Sequence, residues 1–252
     1  MTAFLVLLRK ELTEQWRTWR MPSLLVIFFF LGASSPASAR YLPELLKTLG
    51  NGAIAAALPT PTIVDAYAQL AKNMAQIGVI VAIVIVMTAV SGERERGTLA
   101  FLLSKPVGRT SFLVAKLGGI ATTLVLGTLV AGIAAFFYTA VLFALPGGGF
   151  ALLCLALFLG LLVFAAITLA ASAITGSAVA AAGTGLGALV LLGLVSTLPN
   201  VGAYTPSGAI SRAVEVVAGA PADVLGGPLL AQVAWIAVAF AAAAIVFRRQ
   251  EI

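Results

Sequence analysis

Long apolar runs broken by short polar stretches dominate this chain. Six runs are read as membrane-spanning helices: Pro22–Ala39, Ala68–Val90, Leu117–Leu145, Phe150–Thr175, Ala178–Leu198 and Leu229–Phe247. Each is close to the ~20 apolar residues that cross a ~30 Å hydrocarbon core. The first is the least regular, built on "LLVIFFFLG" with Pro36 in its outer end. The "PASAR" that follows places Ala37 and Ala39 as a leader peptidase would require. Yet two acids and two tryptophans precede the apolar core, which does not suit the start of a leader. The mature chain is therefore expected to keep Met1 or Thr2.

Periodicity adds amphipathic segments outside the spans. Phe4, Leu8, Leu12, Trp16 and Trp19 form one helical stripe, with Lys10, Glu14 and Arg17 on another face. Residues 1–21 are read as a cytoplasmic helix lying in the interface, ahead of a six-helix domain over 22–252. The same stripe also suits the cytoplasmic end of one long first helix. Leu42, Leu45, Leu46 and Leu49 predict a short helix stopped at Gly50, on the far side of the first span. Thr205 as N-cap, Pro206 at the first helical position, and Ile210, Val214 and Val217 on one face predict another. Both are expected to dip into the outer leaflet. "ALPTPTIVDA" between the first two spans is read as an extended loop.

Composition narrows the class. The chain is 61% hydrophobic and 10% charged, where soluble domains carry roughly 25% charged residues. An all-α integral membrane protein follows. The net charge of +6 would suit nucleic acid, but its placement points elsewhere. With a cytoplasmic amino terminus, eleven Lys and Arg fall inside and four outside (Arg40, Lys47, Lys72 and Arg212). That is a positive-inside distribution, and it needs a bilayer rather than nucleic acid as the partner.

Chemistry is sparse. The chain has no histidine and one cysteine, Cys154. No charge lies near the middle of a span, which removes the ionisable relay of a proton-driven carrier. No phosphate-binding Gly-x-x-x-x-Gly-Lys-Ser/Thr loop occurs, so energy for transport would have to arrive from another subunit. No catalytic, cofactor or metal residue is assigned. Gly183 and Gly187, at the small-xxx-small spacing, are assigned to helix packing, with a flexible gate as the alternative.

One stretch breaks the pattern: "SGERERGTLAFLLSKPVGRTSFLVAK", residues 91–116. It alternates Glu93, Arg94, Glu95 and Arg96, then sets Leu99, Leu102 and Leu103 at helical spacing. A solvated turn would satisfy positive-inside rules with scattered basic residues. Paired acids beside an apolar triad instead describe a helix that docks: apolar knobs for a groove, mixed charges for register. Pro106 and Arg109 then turn the chain, and Lys116 marks its return to the membrane.

This segment closely resembles the stretch between the second and third helices of ABC-2 type transporter permeases. The matching residues are Glu93, Arg94, Glu95, Arg96, Gly97, Thr98, Pro106, Arg109 and Lys116. "LLRKELTEQWR" is similar to that family's interfacial helix, and the likeness runs over essentially the whole chain, nearest the branch of multi-copper-enzyme maturation and nitrous-oxide-reductase accessory permeases. The resemblance implies a type V exporter-like fold in a prokaryotic plasma membrane, with both termini cytoplasmic. It also implies a non-enzymatic permease subunit paired with a second copy or a paralogue. Two cytoplasmic ABC ATPase subunits, holding ATP and Mg, would dock on Glu93, Arg94, Glu95, Arg96, Gly97, Thr98, Leu99, Leu102 and Leu103. A membrane anchor that recruits a soluble partner through the same loop, without transport, is the alternative.

The topology is tested by single-cysteine labelling in a Cys154→Ser background. Positions in 40–66 and 199–227 are expected to react with an impermeant reagent applied to intact cells. Reaction of a cysteine at position 100 from outside would overturn the orientation.

Overall fold

The computed structural model describes residues 2–49, 60–98, 108–143 and 148–250, and those residues form helices and turns with no strand. The helices are α1 (Thr2–Arg17), α2 (Arg20–Thr48), α3 (Ile63–Asn73), α4 (Val79–Val86), α5 (Ser91–Glu95), α6 (Arg109–Leu142), α7 (Phe150–Thr175), α8 (Ala178–Val195), α9 (Pro206–Val217) and α10 (Gly226–Arg249). A π-helical turn, Met74–Gly78, joins α3 to α4. Six helical segments are long and apolar enough to cross a membrane: Arg20–Thr48, Ile63–Glu95, Arg109–Leu142, Phe150–Thr175, Ala178–Val195 and Ala222–Arg249. All six expected spans are thus present.

α7 is the centre of the bundle. It touches α4, α6, α8, α9 and α10, and Leu153, Ala156, Leu157, Leu161 and Val163 are all but fully buried along it. Alanine and glycine let its neighbours come close: an added Cβ on Gly160 would lie 3.1 Å from Ile210 of α9. Close van der Waals packing of this kind replaces the hydrophobic drive that lipid removes. α2 and α6 form the second close pair, where a Cβ on Gly32 would lie 2.2 Å from the Ala131 carbonyl oxygen.

Several sequence expectations change. The helix expected over 42–49 is the continuation of the first span, since α2 runs unbroken through Pro36 and Pro43 to Thr48. Prolines are tolerated in membrane helices where neighbouring groups and local adjustment take up the freed backbone carbonyls, and Pro36 is buried among the packed helices. Gly50 lies outside the described residues. The helix expected after Thr205 forms as read: the Thr205 hydroxyl accepts from the Gly208 amide at 3.1 Å and Pro206 opens α9. Its Ala209 and Ala213 are wholly buried, so it packs into the bundle, against α7.

The packing role given to Gly183 and Gly187 does not hold within this chain. Among the described residues, nothing outside the helix's own backbone lies within 4 Å of a Cβ built at either, whereas one on Gly185 would meet the Thr168 hydroxyl at 2.4 Å and Ile83 at 3.0 Å. Glycine spacing finds a smooth helix face but does not say which face is turned inward.

Overpacking a close helix contact costs about 1–3 kcal/mol or more. Gly32→Val and Gly185→Val should therefore lower the thermal midpoint of the detergent-purified chain, while Gly183→Val and Gly187→Val should leave it unchanged. Differential scanning fluorimetry on monomeric material reads the difference.

Candidate functional site

The charged stretch sits where the second span ends, and the chain prepares the site by breaking that span. After α4, Met87–Val90 form turns and α5 begins at Ser91. Ser172 of α7 covers the break. Its hydroxyl accepts from the Ser91 amide at 3.0 Å and the Val90 amide at 3.3 Å, and donates to the Met87 carbonyl at 2.9 Å. Backbone groups freed inside a membrane need such a partner. α5 then ends at Gly97, whose φ of +69° is left-handed and closes the helix as a glycine readily does. The Thr98 hydroxyl donates to the Glu93 carbonyl at 3.1 Å. Residues 93–103 are therefore not one continuous helix: the backbone turns at Gly97.

Glu93 and Arg94, adjacent in sequence, face opposite sides of the bundle. Glu93 is only 6% exposed. Its Oε1 accepts from Lys10 Nζ of α1 at 2.5 Å and from Lys116 Nζ of α6 at 2.8 Å. Lys116, 3% exposed, also pairs with Glu11 at 2.9 Å, and Lys10 pairs with Glu11 and Glu14, each at 3.1 Å. Arg20 stands beside this cluster and donates to the Thr88 hydroxyl at 2.8 Å. Three carboxylates thus meet two ammoniums, with Arg20 beside them, and α1, α5 and α6 are tied at one point. Glu11, Glu14 and Glu93 bring oxygens within 4.8 Å of one another, but the two ammoniums already stand among them. The arrangement is an ion-pair clamp.

Close backbone approach makes the clamp possible. A Cβ on Gly119 of α6 would meet Gln15 and Glu11 of α1, each at 3.0 Å, and Gln15 accepts from the Thr123 hydroxyl at 2.5 Å. α1 turns Leu7, Glu11 and Gln15 inward and leaves Trp16 and Trp19 exposed. Burial disfavours the charge on Lys10, yet its hydrogen bond to Glu93 and the fields of Glu11 and Glu93 hold its pKa above the usual lysine value. Burial also works against the charge on Glu14, but Lys116, Lys10 and Arg20 hold its pKa below the usual carboxylate value. The contribution from Glu14 is present above the ordinary carboxylate pKa and lost as pH falls through its depressed value. That from Lys10 is present below the ordinary lysine pKa and lost as pH rises through its raised value. Lys10 and Glu14 are therefore both charged across neutral pH.

Arg94 takes the other side. Its guanidinium lies against Gly176 at the end of α7, where a Cβ would come within 2.5 Å of Nη1, and it donates to the Gln250 side chain at 3.3 Å. Arg109, at the start of α6, donates to the last carbonyls of α10: Phe247 at 3.1 Å, Arg248 at 3.2 Å and Gln250 at 2.5 Å. A cation there satisfies orphan carbonyls and complements the helix dipole. Gln250 also donates to the Ile174 carbonyl at 2.9 Å, and Arg248 to the Thr110 hydroxyl at 3.0 Å. α1 and the end of α10 therefore lie at the same end of the bundle.

Of the residues assigned to docking, Glu95, Arg96, Gly97 and Thr98 are exposed. Glu93 and Arg94 are not: the Glu93 carboxylate is buried and committed inside the protein, and Arg94 is half-buried against Gly176 and bonded to Gln250. Leu99, Leu102, Leu103 and Pro106 lie outside the described residues. Lys116 and Arg109, read as marking the chain's return to the membrane, are ion-pair and capping residues. Lys10, Glu11, Glu14 and Gln15 were not singled out as a site, though Glu11 and Glu14 are two of only nine acids in the chain.

Residues 5–210 match the family described as ABC-2 family transporter protein. The chain belongs to that family. It is thus a membrane protein of the transporter permease class, all-α with six spans. It is also similar to an uncharacterized transmembrane protein, YxlG, of Bacillus subtilis (strain 168), with 25% identity over 118 residues. That match covers 46% of this chain and 46% of that protein, so the aligned part spans about half the length of each.

Removing one partner of a buried ion pair costs about 3–5 kcal/mol, because a charge is left uncompensated. Lys116→Met should therefore strongly destabilise this permease in a thermal unfolding assay. Lys116→Met combined with Glu93→Gln should cost less than the two single changes added together. Additive losses would mean that the pair is not coupled.

Proposed function

We propose that this permease is the membrane subunit of an ABC exporter, driven by a separate cytoplasmic ATPase that docks on the 93–103 stretch through the exposed Glu95–Thr98 surface and supplies ATP and Mg. The observation that carries the reading is the double attachment of α5. Glu93 ties it to α1 and α6, and Arg94 ties it to the ends of α7 and α10. A partner that pushes on the exposed Glu95–Thr98 surface therefore moves both sides of the bundle together. Family membership disfavours a passive anchor.

The excess of Lys and Arg at the end holding the termini supports placing that end in the cytoplasm of a prokaryotic cell. The open Gly183 and Gly187 face of α8 suits contact with a second permease, a copy or a paralogue, because close helix approach is favoured there. The substrate path would then run between the two, and its apolar walls favour a lipid-like, amphipathic or peptide substrate. The likeness to copper-enzyme maturation permeases adds no metal substrate, since the chain has no histidine, one cysteine and four methionines.

Glu95→Lys and Arg96→Glu change exposed charges and spare the clamp. A charge desolvated at an interface and deprived of its partner costs about 2–5 kcal/mol, so each variant should weaken ATPase association at least tenfold, about 1.4 kcal/mol. Glu44→Lys, at the far end of α2, should have no effect. Co-purification of the ATPase and permease-stimulated ATP hydrolysis are the measurements, after membrane levels have been matched. Wild-type coupling in both loop variants would overturn the proposal.

A further inference from the structure

A groove of about 600 Å³ runs between α6 and α7, within the range of small-molecule sites. Val125, Leu129, Ile133 and Phe136 form one wall, and Cys154 and Phe158 the other. It opens sideways, since Leu129, Ile133 and Phe136 are exposed, and it faces the hydrocarbon rather than an aqueous end. It exists because Gly132 has no side chain: a Cβ there would lie 3.0 Å from Cys154 Sγ. It lies in the half of the bundle away from the chain termini.

A cation stands above it. Phe143 is the residue that ends α6, seven positions and ~10 Å along the helix axis beyond Phe136 of the groove wall. The Arg40 guanidinium lies 5.9 Å from the Phe143 ring centroid. Arg40 is exposed and makes no ion pair among the described residues. An apolar channel beneath an unpaired guanidinium at the membrane surface matches one chemistry: a hydrocarbon chain carrying an anionic head.

We propose that the groove binds one acyl chain of an anionic phospholipid, drawn from the leaflet away from the termini, with its phosphate on Arg40. The proposal does not depend on ATPase docking. The bound chain fills space between α6 and α7 that would otherwise lack dispersion contacts. The site therefore selects a lipid by headgroup charge and holds it by its tail.

The test is native mass spectrometry of the full chain from bilayer discs of equal phosphatidylglycerol and phosphatidylcholine. One phosphatidylglycerol per chain is expected to remain bound in preference to phosphatidylcholine. Arg40→Gln should reduce that retention about fivefold, the scale of one basic side chain's attraction to an anionic headgroup, and Arg40→Lys should keep most of it. Ala151→Trp fills the groove from an exposed position and should abolish selective retention with Arg40 intact. Leu129→Trp, on the facing wall, repeats that test should the first variant misfold. Equal retention of the two lipids, or retention indifferent to both Arg40→Gln and groove filling, overturns the proposal. So does efficient bis-maleimide cross-linking of Cys154 between two copies, because the groove would then be a contact between chains.

Discussion

The buried contact of Glu93 with Lys10 and Lys116 is the constraint on which this end of the molecule depends. A carboxylate at the edge of a bilayer is tolerable only when cations meet it, and here they come from two other helices. The requirement fixes where α1 lies, because Lys10 must reach inward. It fixes the depth of α6, because Lys116 must arrive at the same level. It also fixes the direction in which α5 leaves the membrane. Similar volumes of apolar side chain would hold three helices together at no greater electrostatic cost. Charges add register, since a slip of one residue along α1 or α6 would separate them.

A second device, with different chemistry, secures the other side of α5. Arg94 rests on Gly176 and reaches Gln250, while Arg109 gathers the last carbonyls of α10. The first side is held by opposite charges in a nearly dry site, the second by hydrogen bonds near the surface. The first attachment is the stiffer, because breaking it strands charges; the second can exchange partners with water at little cost. Unequal stiffness gives a push on α5 a preferred fulcrum at Glu93.

The spans were legible because a bilayer asks one question of a sequence, whether twenty residues are apolar, and hydropathy answers it. The α9 cap was legible because Thr205 and Pro206 act locally. The clamp was not, since Lys10 and Glu93 lie 83 residues apart and a charge beside a membrane ordinarily turns to water. Periodicity along residues 4–19 marked the apolar stripe meant for the membrane interface, where Trp16 and Trp19 are left exposed. It did not mark the second line, which packs on the bundle and contains Glu11 and Gln15. Pro36 misled in the other direction by making the first span look irregular, because breaker rules are calibrated on chains in water, where a freed carbonyl has an alternative partner.

The capping of α10 by Arg109 bears on how the molecule is made. Arg109 and Phe247 are separated by 138 residues, so the start of α6 exists long before the carbonyls it will hold. Until the final span is threaded into the bilayer, the guanidinium has no helix end to grip, and Arg94 has no Gln250. Until then α5 is anchored chiefly on the Glu93 side, with Arg94 resting only against Gly176. The second anchor arrives only with α10 and Gln250, so a nascent permease stalled before α10 carries a loosely held α5, and the linkage across the bundle matures once α10 is in place.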